Sequence, residues 1–411
     1  MKKHFLLIGS LLLSSMVFGQ AYQRNVQGIR QQAMGGAGAA IPSDAATVFY
    51  NPAGMGALEN ISVYASMNLM MPRTRYIPAP TGAGTVDAKE ENYTPFNVYF
   101  VSPLGYKSPL RIGMGIYTPF GTGITWDDNW TGRYLVQEMR LNTTFFQPSL
   151  SWQINDQFSI GAGFIYARGN FDYRRAMPYI DQNGTESSTE LTGRANGVGY
   201  NLGLHIKPND DIQFGITYRS RVNMNIKNGY AYFKTPSSLQ PSFLNTSFET
   251  SLPMPQVVTV ALGVTPNDYL SLQFEAAYTG WAAFDSLRFD YDNNTALLQD
   301  EASPRRYRNS ISLRAGAKYT LKDERWDVML GAAYLPSPVR EGFLSPELPD
   351  ATHFLATGGL SFKISKRITA IGSVQYTLGE VRTGLSTEHG FKGKYLTKVL
   401  NPGLALTYDF N

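Results

Sequence analysis

The stretch Tyr269-Leu270-Ser271-Leu272-Gln273-Phe274-Glu275-Ala276-Ala277-Tyr278-Thr279 alternates two kinds of side chain. Its even-numbered residues are all apolar, and most of its odd-numbered residues are polar. Because successive side chains of a strand point to opposite faces, this pattern predicts a half-buried strand. The same period recurs in residues 158–166 and 310–319. A soluble β-sandwich would produce the same local pattern, so the connections between strands have to decide the architecture.

Short polar turns alternate strictly with longer loops along the chain. The turns are residues 105–108, 155–156, 209–211, 267–268, 322–325 and 365–366. The loops are residues 73–92, 126–132, 177–191, 227–251, 289–304, 336–352 and 379–394. This alternation is typical of an up-and-down barrel with short periplasmic turns and long outer loops. Six turns and seven loops predict about fourteen antiparallel strands, with both termini on the periplasmic side.

The composition agrees with a transmembrane barrel. The 411 residues include 25 Tyr, 23 Phe and 39 Gly, and only 17% are charged. After residue 19 no segment approaches the roughly 18 consecutive apolar residues of a membrane helix. We therefore predict an all-β transmembrane antiparallel up-and-down β-barrel of the bacterial outer membrane, with aromatic girdles at both interfaces. Its expected partners are outer-membrane lipid, lipopolysaccharide and the barrel-assembly machinery, and we expect a monomer. The net charge of +4 gives no argument for binding nucleic acid.

The first residues have the pattern of an export signal. Met1-Lys2-Lys3-His4 is followed by an apolar run and by Val17-Phe18-Gly19, which predicts a signal peptide over 1–19. An uncleaved membrane anchor is the alternative, but serines interrupt the run and it is short for a spanning helix. Cysteine is absent, so no lipoprotein attachment or disulfide is expected. At the other end, Asn411 follows the aromatic Phe410, which leaves open how the assembly machinery reads this terminus.

A segment rich in small residues and turn formers lies between the signal and the strands. It is Ser43-Asp44-Ala45-Ala46-Thr47-Val48-Phe49-Tyr50-Asn51-Pro52-Ala53-Gly54-Met55, too short to form a domain of its own. We predict that residues 20–57 form a small hatch, or plug, inside the lumen and that residues 58–411 form the barrel. The simplest alternative for Asn51-Pro52 is a tight turn before the first strand, without a role in gating.

Four stretches together resemble the FadL family of outer-membrane hydrophobic compound transporters (OMPP1/FadL/TodX). They are Asn51-Pro52-Ala53-Gly54, residues 115–121 leading through 126–134, residues 161–168, and Ser337-Pro338-Val339 before Leu348-Pro349-Asp350. The resemblance implies transport of long-chain fatty acids or other hydrophobic compounds. It also implies that Asn51, Pro52, Ala53 and Gly54 belong to the hatch, and that an inward kink of the third strand opens a gap in the wall at Pro119, Phe120 and Gly121.

The residues of the third strand support a kink independently. The strand begins near Leu110 and meets Pro119 in the middle of the wall. Proline cannot donate to a central ladder, and Gly121 and Gly123 weaken the pairing further, so a bulge or break is expected. The alternative is that Pro119 lies harmlessly at the outer end of the strand.

Candidate ligand-binding residues are basic side chains of the lumen and apolar side chains of the outer loops. Parity places Arg314 opposite the lipid-facing row, and the resemblance implies a ligand-facing position for Arg308 and for Arg175. The alternative is that these cations line a wet lumen and pair with acids such as Glu275. Phe243 and Phe248 either form a surface groove that captures ligand or pack their loop against its neighbours.

We therefore predict a passive transporter in which ligand is captured by outer loops, passes a hatch and leaves through the wall. A structural or adhesive barrel with a plugged lumen is the alternative. We expect no enzyme, cofactor or metal site, because the three histidines after the signal fall on separate strands or loops without ligand spacing. The identity of the hydrophobic ligand depends on the shape of the tunnel, which the sequence leaves open.

Overall fold

The computed structural model describes residues 21–25, 27–79, 84–386 and 390–410. The expected signal peptide and Asn411 lie outside the described residues. Within them, no helix is long and apolar enough to cross a membrane.

Strands dominate the described part of the chain. Two short helices precede them, α1 (Ile29–Ala33) and α2 (Thr47–Tyr50), and 3-10 turns lie at Pro52–Ala57, Gln240–Ser242 and Trp281–Ala283. The strand segments are β1 (Ile61–Asn68), β2 (Met71–Pro78), β3 (Val86–Asp87), β4 (Phe96–Pro103), β5 (Leu110–Tyr117), β6 (Gly121–Thr125), β7 (Glu138–Gln153), β8 (Phe158–Ile180), β9 (Glu186–Ile206), β10 (Ile212–Arg219), β11 (Val222–Lys234), β12 (Thr246–Met254), β13 (Val257–Asn267), β14 (Leu270–Thr279), β15 (Ser286–Tyr291), β16 (Glu301–Pro304), β17 (Ser310–Thr320), β18 (Trp326–Leu335), β19 (His353–Lys363), β20 (Ile368–Gly379), β21 (Arg382–Ser386) and β22 (Phe391–Phe410).

In the described residues these segments build fourteen wall strands. Five wall strands consist of two consecutive segments each, namely β1 with β2, β5 with β6, β10 with β11, β12 with β13, and β20 with β21. Segments β3, β15 and β16 belong to the outer loops. Neighbouring wall strands are antiparallel, and β1 pairs with β22 from Ile61 opposite Phe410 to Asn68 opposite Gly403. This closure confirms the predicted fourteen-strand antiparallel barrel.

The alternation read from the sequence separates the two faces of the wall. In β14, Phe274 is 48% exposed on the outer face, whereas Glu275 is buried on the inner face. Leu404 and Leu406 of β22 are likewise exposed, and Ala405 between them is buried. An exposed apolar row next to a buried polar row is the arrangement that lipid outside and a filled lumen inside require.

Five of the seven predicted outer loops are wrong in their bounds, because strand segments extend into residues 73–92, 177–191, 227–251, 289–304 and 379–394. Strand β8 continues to Ile180 and β9 begins at Glu186. Of the loop expected over 177–191, only residues 181–185 connect the two strands as a turn. The loop expected over 289–304 contains parts of β15 and β16, which form a hairpin. Above the membrane the outer face of the ladder no longer meets lipid, so pairing continues there without the outward apolar row that marks a wall strand in the sequence.

The N-terminal segment, defined here as residues 21–25 and 27–57, lies inside the ring of wall strands. A Cβ atom on Gly161 of β8 would lie 2.4 Å from the backbone nitrogen of Ala53. On β18, a Cβ atom on Gly331 would lie 2.2 Å from the nitrogen of Gly35. Wall glycines on separate sides of the barrel thus allow the segment to touch the wall backbone. This position agrees with the expected plug, and its exact boundaries stay a prediction.

Candidate functional site

The third wall strand is broken at the residues where the sequence predicts a kink. Segment β5 pairs with β4 and with β7, whereas β6 pairs with β7 alone among the described residues. Thr118, Pro119 and Phe120 lie between the two segments, outside the wall ladder. Beyond them the next backbone hydrogen bond to the loop before β4 runs from Lys89 N to Thr125 O, at 2.7 Å. The second and third wall strands are therefore separated by a gap beside residues 118–124.

The N-terminal segment pairs with the kinked backbone in place of β4. Arg24 N donates to Pro119 O at 2.9 Å, and Gly121 N donates to Tyr22 O at the same distance. Gln23 and Phe120 face each other as an antiparallel bridge. Buried backbone groups need partners, and these bonds satisfy groups that the wall leaves open. Residues 22–24 thus act as a substitute strand at the kink.

The Arg24 side chain lies buried at this junction. It is 8% exposed, and its Nε donates to Gly121 O at 3.2 Å and its Nη2 to Asn142 Oδ1 at 3.3 Å. A Cβ atom on residue 121 would lie 2.4 Å from Nη2, so the glycine makes room for the guanidinium. Among the described residues no acid forms an ion pair with Arg24. Burial lowers the pKa of Arg24 to about 10, which leaves it charged at neutral pH.

Tyr93 spans the gap. Its backbone pairs with Met70 on the first wall strand through bonds of 2.8 and 2.9 Å. Its hydroxyl reaches the third wall strand, where a Cβ atom on Gly123 would lie 2.2 Å away. The hydroxyl donates to Glu91 Oε2 at 3.0 Å. The ring is therefore held across the opening from both sides.

Glu91 fixes Tyr93 in that place. Its Oε1 accepts from Thr125 Oγ1 at 2.8 Å and from Arg140 Nη2 at 2.9 Å. Partial burial opposes ionisation, but the hydrogen bonds from Arg140, Thr125 and Tyr93 outweigh it and hold the pKa of Glu91 below its usual value. Because a lowered pKa keeps the carboxylate charged, this contact persists at neutral and mildly acidic pH.

A cavity of about 180 Å³ lies behind the gap, on the side of the lumen. On the side of the opening, the cavity is lined by Arg24, Tyr93 and residues 121–124. Its apolar lining includes Met70, Ile124, Leu335, Leu348, Leu355 and Val399. The Nε2 atom of His353, another lining residue, is buried and has no hydrogen-bond partner in the described part of the chain. The rest of the lining is largely polar and includes Gln23, Asn25, Asp350 and Gln375, so the cavity combines apolar contacts with hydrogen-bonding groups.

The ring of Tyr22 closes the outer side of this region. It packs edge-on against Trp281 and Phe284, with ring centroids 4.9 and 5.9 Å apart. Its hydroxyl donates to Pro253 O at 2.6 Å. Trp281 and Phe284 follow β14 at its outer end, so this aromatic cluster lies between the outer loops and the cavity.

The basic residues predicted for ligand binding do not line this cavity. Arg314 Nη1 pairs with Glu275 Oε1 at 2.6 Å, and its Nη2 donates to Asn25 Oδ1 at 3.2 Å. Arg175 pairs with Glu301 at 3.1 Å in the upper lumen. The backbone nitrogen of Arg308 donates to Pro338 O at 2.9 Å just before β17. In this structure Arg314 and Arg175 are therefore paired with acids. Ligand contact by Arg175, Arg308 and Arg314 stays a prediction.

The two loop phenylalanines are buried among other aromatic rings. Phe243 packs against Tyr179 with ring centroids 5.4 Å apart. Phe248 has no exposed area and packs edge-on against Phe289 at 5.6 Å. In this structure both phenylalanines therefore pack their loops against neighbouring rings. A surface groove that captures ligand stays a prediction.

The residues predicted for the hatch, Asn51, Pro52, Ala53 and Gly54, are buried beside the wall. Asn51 Oδ1 accepts from Ala53 N at 3.1 Å, which caps the 3-10 turn that Pro52 begins. Its Nδ2 donates to Ala39 O at 2.9 Å and to Leu204 O of β9 at 3.2 Å. These residues anchor the N-terminal segment, and the segment contacts the gap through residues 22–24 instead.

Sequence reasoning missed Arg24, Tyr93, Glu91 and His353. They are far apart in the chain, and no spacing rule connects them. The one available signal was the pair Gly121 and Gly123, since glycine in a strand often marks a close approach by another group.

Comparisons with known proteins agree with this architecture. Residues 10–410 match the family described as outer membrane protein transport protein (OMPP1/FadL/TodX). The long-chain fatty acid transport protein of Escherichia coli K12 is 24% identical over 92% of each chain. The crystal structure of a Pseudomonas aeruginosa FadL homologue superposes with a TM-score of 0.84 at 20% identity, covering 95% of this chain and all of that one. The toluene transporter TodX of P. putida gives a TM-score of 0.75 at 15% identity, covering 93% and 98%.

Proposed function

The chain belongs to the OMPP1/FadL/TodX family of outer-membrane transport proteins, and we propose that it releases a hydrophobic compound sideways through the gap at the third wall strand. Family membership places it among the transporters of hydrophobic compounds in the bacterial outer membrane, and not among enzymes. The lateral route and its gate are the finer parts of the proposal.

The observation that carries the proposal is the way in which the gap is closed. A continuous ladder would seal the wall with inter-strand hydrogen bonds, which hold a barrel shut along its length. At residues 118–124 the closure consists of residues 22–24 and the Tyr93 side chain. Both are attached to the wall by a few bonds and both line the cavity or its rim. Their displacement connects the cavity with the membrane.

Three steps follow from this geometry. Ligand is captured at the outer loops and displaces Tyr22 from Trp281 and Phe284. It then occupies the cavity beside Arg24, while the anchored hatch residues around Asn51 stay against the wall. Withdrawal of residues 22–24 from the kink finally lets it pass between the second and third wall strands. No energy source is needed, because consumption of the ligand inside the cell sets the direction.

The cavity favours ligands that are apolar with at most a small polar head. Burying a chain contributes roughly 0.8 kcal/mol for each methylene, so apolar contact dominates binding. An apolar cavity of roughly 150 Å³ holds one benzene molecule. The space behind the gap therefore accepts an aromatic ring or the head end of a longer chain. Arg24 supplies a buried cation for a carboxylate. The Escherichia coli relative is a long-chain fatty acid transport protein, and TodX is a toluene transporter.

Uptake by whole cells tests this function. Cells with and without the protein are supplied with labelled oleate or labelled toluene, and initial uptake is measured at equal barrel abundance in the outer membrane. We expect at least one of the two compounds to enter faster when the protein is present. Equal rates for both compounds would exclude transport of these two ligand classes and leave the structural or adhesive barrel as the better account.

A further inference from the structure

The outward face of the fifth to seventh wall strands changes from apolar to basic at one level. On β8 the exposed residues Phe158, Ile160, Phe164 and Tyr166 are followed outward by Arg168. On β9 the exposed Val198 and Tyr200 are followed outward by Asn196 and Arg194. Aromatic side chains mark the boundary of the hydrocarbon region in such barrels. The basic residues therefore lie at the depth of lipid head groups.

The strand register brings these polar side chains together. Arg168 lies opposite Asn196, and Asn196 lies opposite Asn225 of β11. Arg194 lies opposite Asn170 one step further out. Lys227 follows Asn225 by two residues and is exposed on the same strand. Adjacent strands are about 4.8 Å apart, so the three cations sit within roughly 10 Å across the wall.

These three cations lack acidic partners among the described residues. None of Arg168, Arg194 and Lys227 takes part in an ion pair there. Asp172 is one acid of the same surface, and its Oδ1 accepts from Thr192 Oγ1 at 2.8 Å. The exposed Glu249 of β12 is a second acid, beside Lys227 at the register shift, and Glu190 lies further out opposite Arg174. At the level of Arg168 and Arg194 the cations therefore outnumber the carboxylates. Like charges placed together cost free energy unless an anion joins them.

Two of the cations, Arg194 and Lys227, line a hollow in the wall of about 730 Å³. Its lining residues include Asn170, Asp172, Thr192, Arg194, Asn225 and Lys227. It forms beside an irregular register in β11 between Ile226 and Gly229. A concave surface with amide donors and cations is shaped to take a head group with several acceptor oxygens.

We propose that this surface, formed by Arg168, Arg194, Lys227 and the neighbouring asparagines, binds the phosphorylated head group of an outer-leaflet glycolipid of the lipid A class. Its phosphates meet the cations, its sugar hydroxyls meet Asn170, Asn196 and Asn225, and its acyl chains lie along Phe164, Val198 and Tyr200. The site is independent of the transport route, since it lies on the outer face of the wall, away from the third strand.

Native mass spectrometry of the purified full-length barrel tests the proposal. The protein is titrated with bisphosphorylated lipid A, with the same lipid after removal of both phosphates, and with inorganic phosphate. We expect retention of bisphosphorylated lipid A and at least about tenfold weaker retention of the dephosphorylated lipid, a difference of about 1.4 kcal/mol. Equal retention of the two lipids, or binding of inorganic phosphate with the affinity of the lipid, overturns the proposal.

A charge-neutral variant locates the site. R168Q/R194Q/K227Q should reduce lipid A binding about tenfold or more, because each lost cation removes a charge-assisted contact. The matched control, K322Q/K366Q/R367Q, removes three exposed cations from the periplasmic turns and should bind as the unaltered protein does. Both variants should keep the heat-modifiable migration of a folded barrel. Unchanged binding by the folded first variant, or an equal loss in both, contradicts the assignment.

Discussion

At the residue scale, two side chains from different parts of the chain meet at the third wall strand. Arg24 approaches from the N-terminal segment, and Tyr93 approaches from the loop before β4. A buried charge without a counter-charge is costly, and among the described residues the Arg24 side chain donates to Gly121 O and Asn142 Oδ1. A ligand carboxylate would complete its surroundings. Gly121 and Gly123 are the positions that allow both side chains to fit.

Replacing Arg24 with glutamine should separate the two ligand classes. A hydrogen bond to a charged group contributes roughly 1.5–3 kcal/mol, so we expect oleate binding to fall about tenfold or more. Toluene has no carboxylate, and its uptake should stay close to that of the unaltered protein. Competition binding with a fluorescent fatty acid and toluene uptake measure the two effects. Arg288→Gln, a substitution of an exposed loop residue, is the control. A parallel loss of oleate binding and toluene uptake in R24Q would show that Arg24 is only structural.

Tyr93 should limit passage through the gap. Tyr93→Ala removes the ring that reaches Gly123, and we expect initial toluene uptake to increase. Tyr93→Phe keeps the ring and loses the hydroxyl bond to Glu91, so it should change uptake less. Initial rates at equal protein abundance decide the matter. Uptake that is unaltered or slower in Tyr93→Ala would mean that the ring does not obstruct the route.

At the scale of elements, the third wall strand combines a closed lower half with an open upper half. Segment β5 has partners on both sides, and β6 has one on a single side among the described residues. Pro119 has no N–H to leave unsatisfied, so it can occupy the break at low cost. The N-terminal residues then satisfy the groups that remain.

Straightening this strand should stop transport. P119V/G121V restores a donor at residue 119, and a valine at residue 121 excludes the Arg24 guanidinium. We expect a folded barrel with continuous pairing between the second and third wall strands and with little uptake. P266V/G372V is the matched control, because a Cβ atom on Gly372 meets its nearest neighbour at 3.5 Å, an ordinary contact. Normal uptake by a folded P119V/G121V protein would sink the lateral route.

The sequence was informative about elements wherever one strand face meets lipid. The alternation in residues 269–279 and 310–319 and the polar turns between strands predicted fourteen strands correctly. Above the membrane this signal disappears, so the outer extensions of β8 and β9 were taken for loop. Pro119 marked the position of the break because proline acts through its own backbone. Arg24 and Tyr93 act through tertiary contacts, and neither carries a local pattern.

At the scale of the whole molecule, buried charges fix the N-terminal segment to the wall. Arg30 of α1 pairs with Asp44 at 3.3 Å and with Asp327 of β18 at 2.9 Å. Asp327 also accepts from Ser361 Oγ at 2.5 Å and from Thr320 Oγ1 at 2.8 Å. The segment is therefore anchored by its middle, and its first residues reach the kink. In the proposed mechanism residues 22–24 move, while the anchored middle of the segment keeps the lumen filled.

Asp327→Asn should loosen this anchor. Losing hydrogen bonds to a buried charged group costs roughly 1–3 kcal/mol, so we expect a lower free energy of unfolding and faster hydrogen exchange in residues 29–50. Asp210→Asn is the control, because Asp210 forms an exposed pair with Lys207 that contributes little. Equal stability of the two variants would mean that the ion pairs around Arg30 do not hold the segment.

The central claim is that residues 22–24 must leave the kink before ligand can exit. The chain contains no cysteine, so a cysteine pair at Gln23 and Phe120 forms a unique lock. These residues face each other as an antiparallel bridge, and directly opposed residues have the Cα separation that a disulfide needs.

The most direct measurement is therefore the uptake of labelled oleate and toluene by cells carrying Q23C/F120C, before and after reduction of the disulfide. The two single-cysteine variants control for loss of the native side chains. The account predicts that the oxidised protein takes up neither compound and that reduction restores uptake to the level of the single variants. Equal uptake by the oxidised and the reduced protein would contradict it.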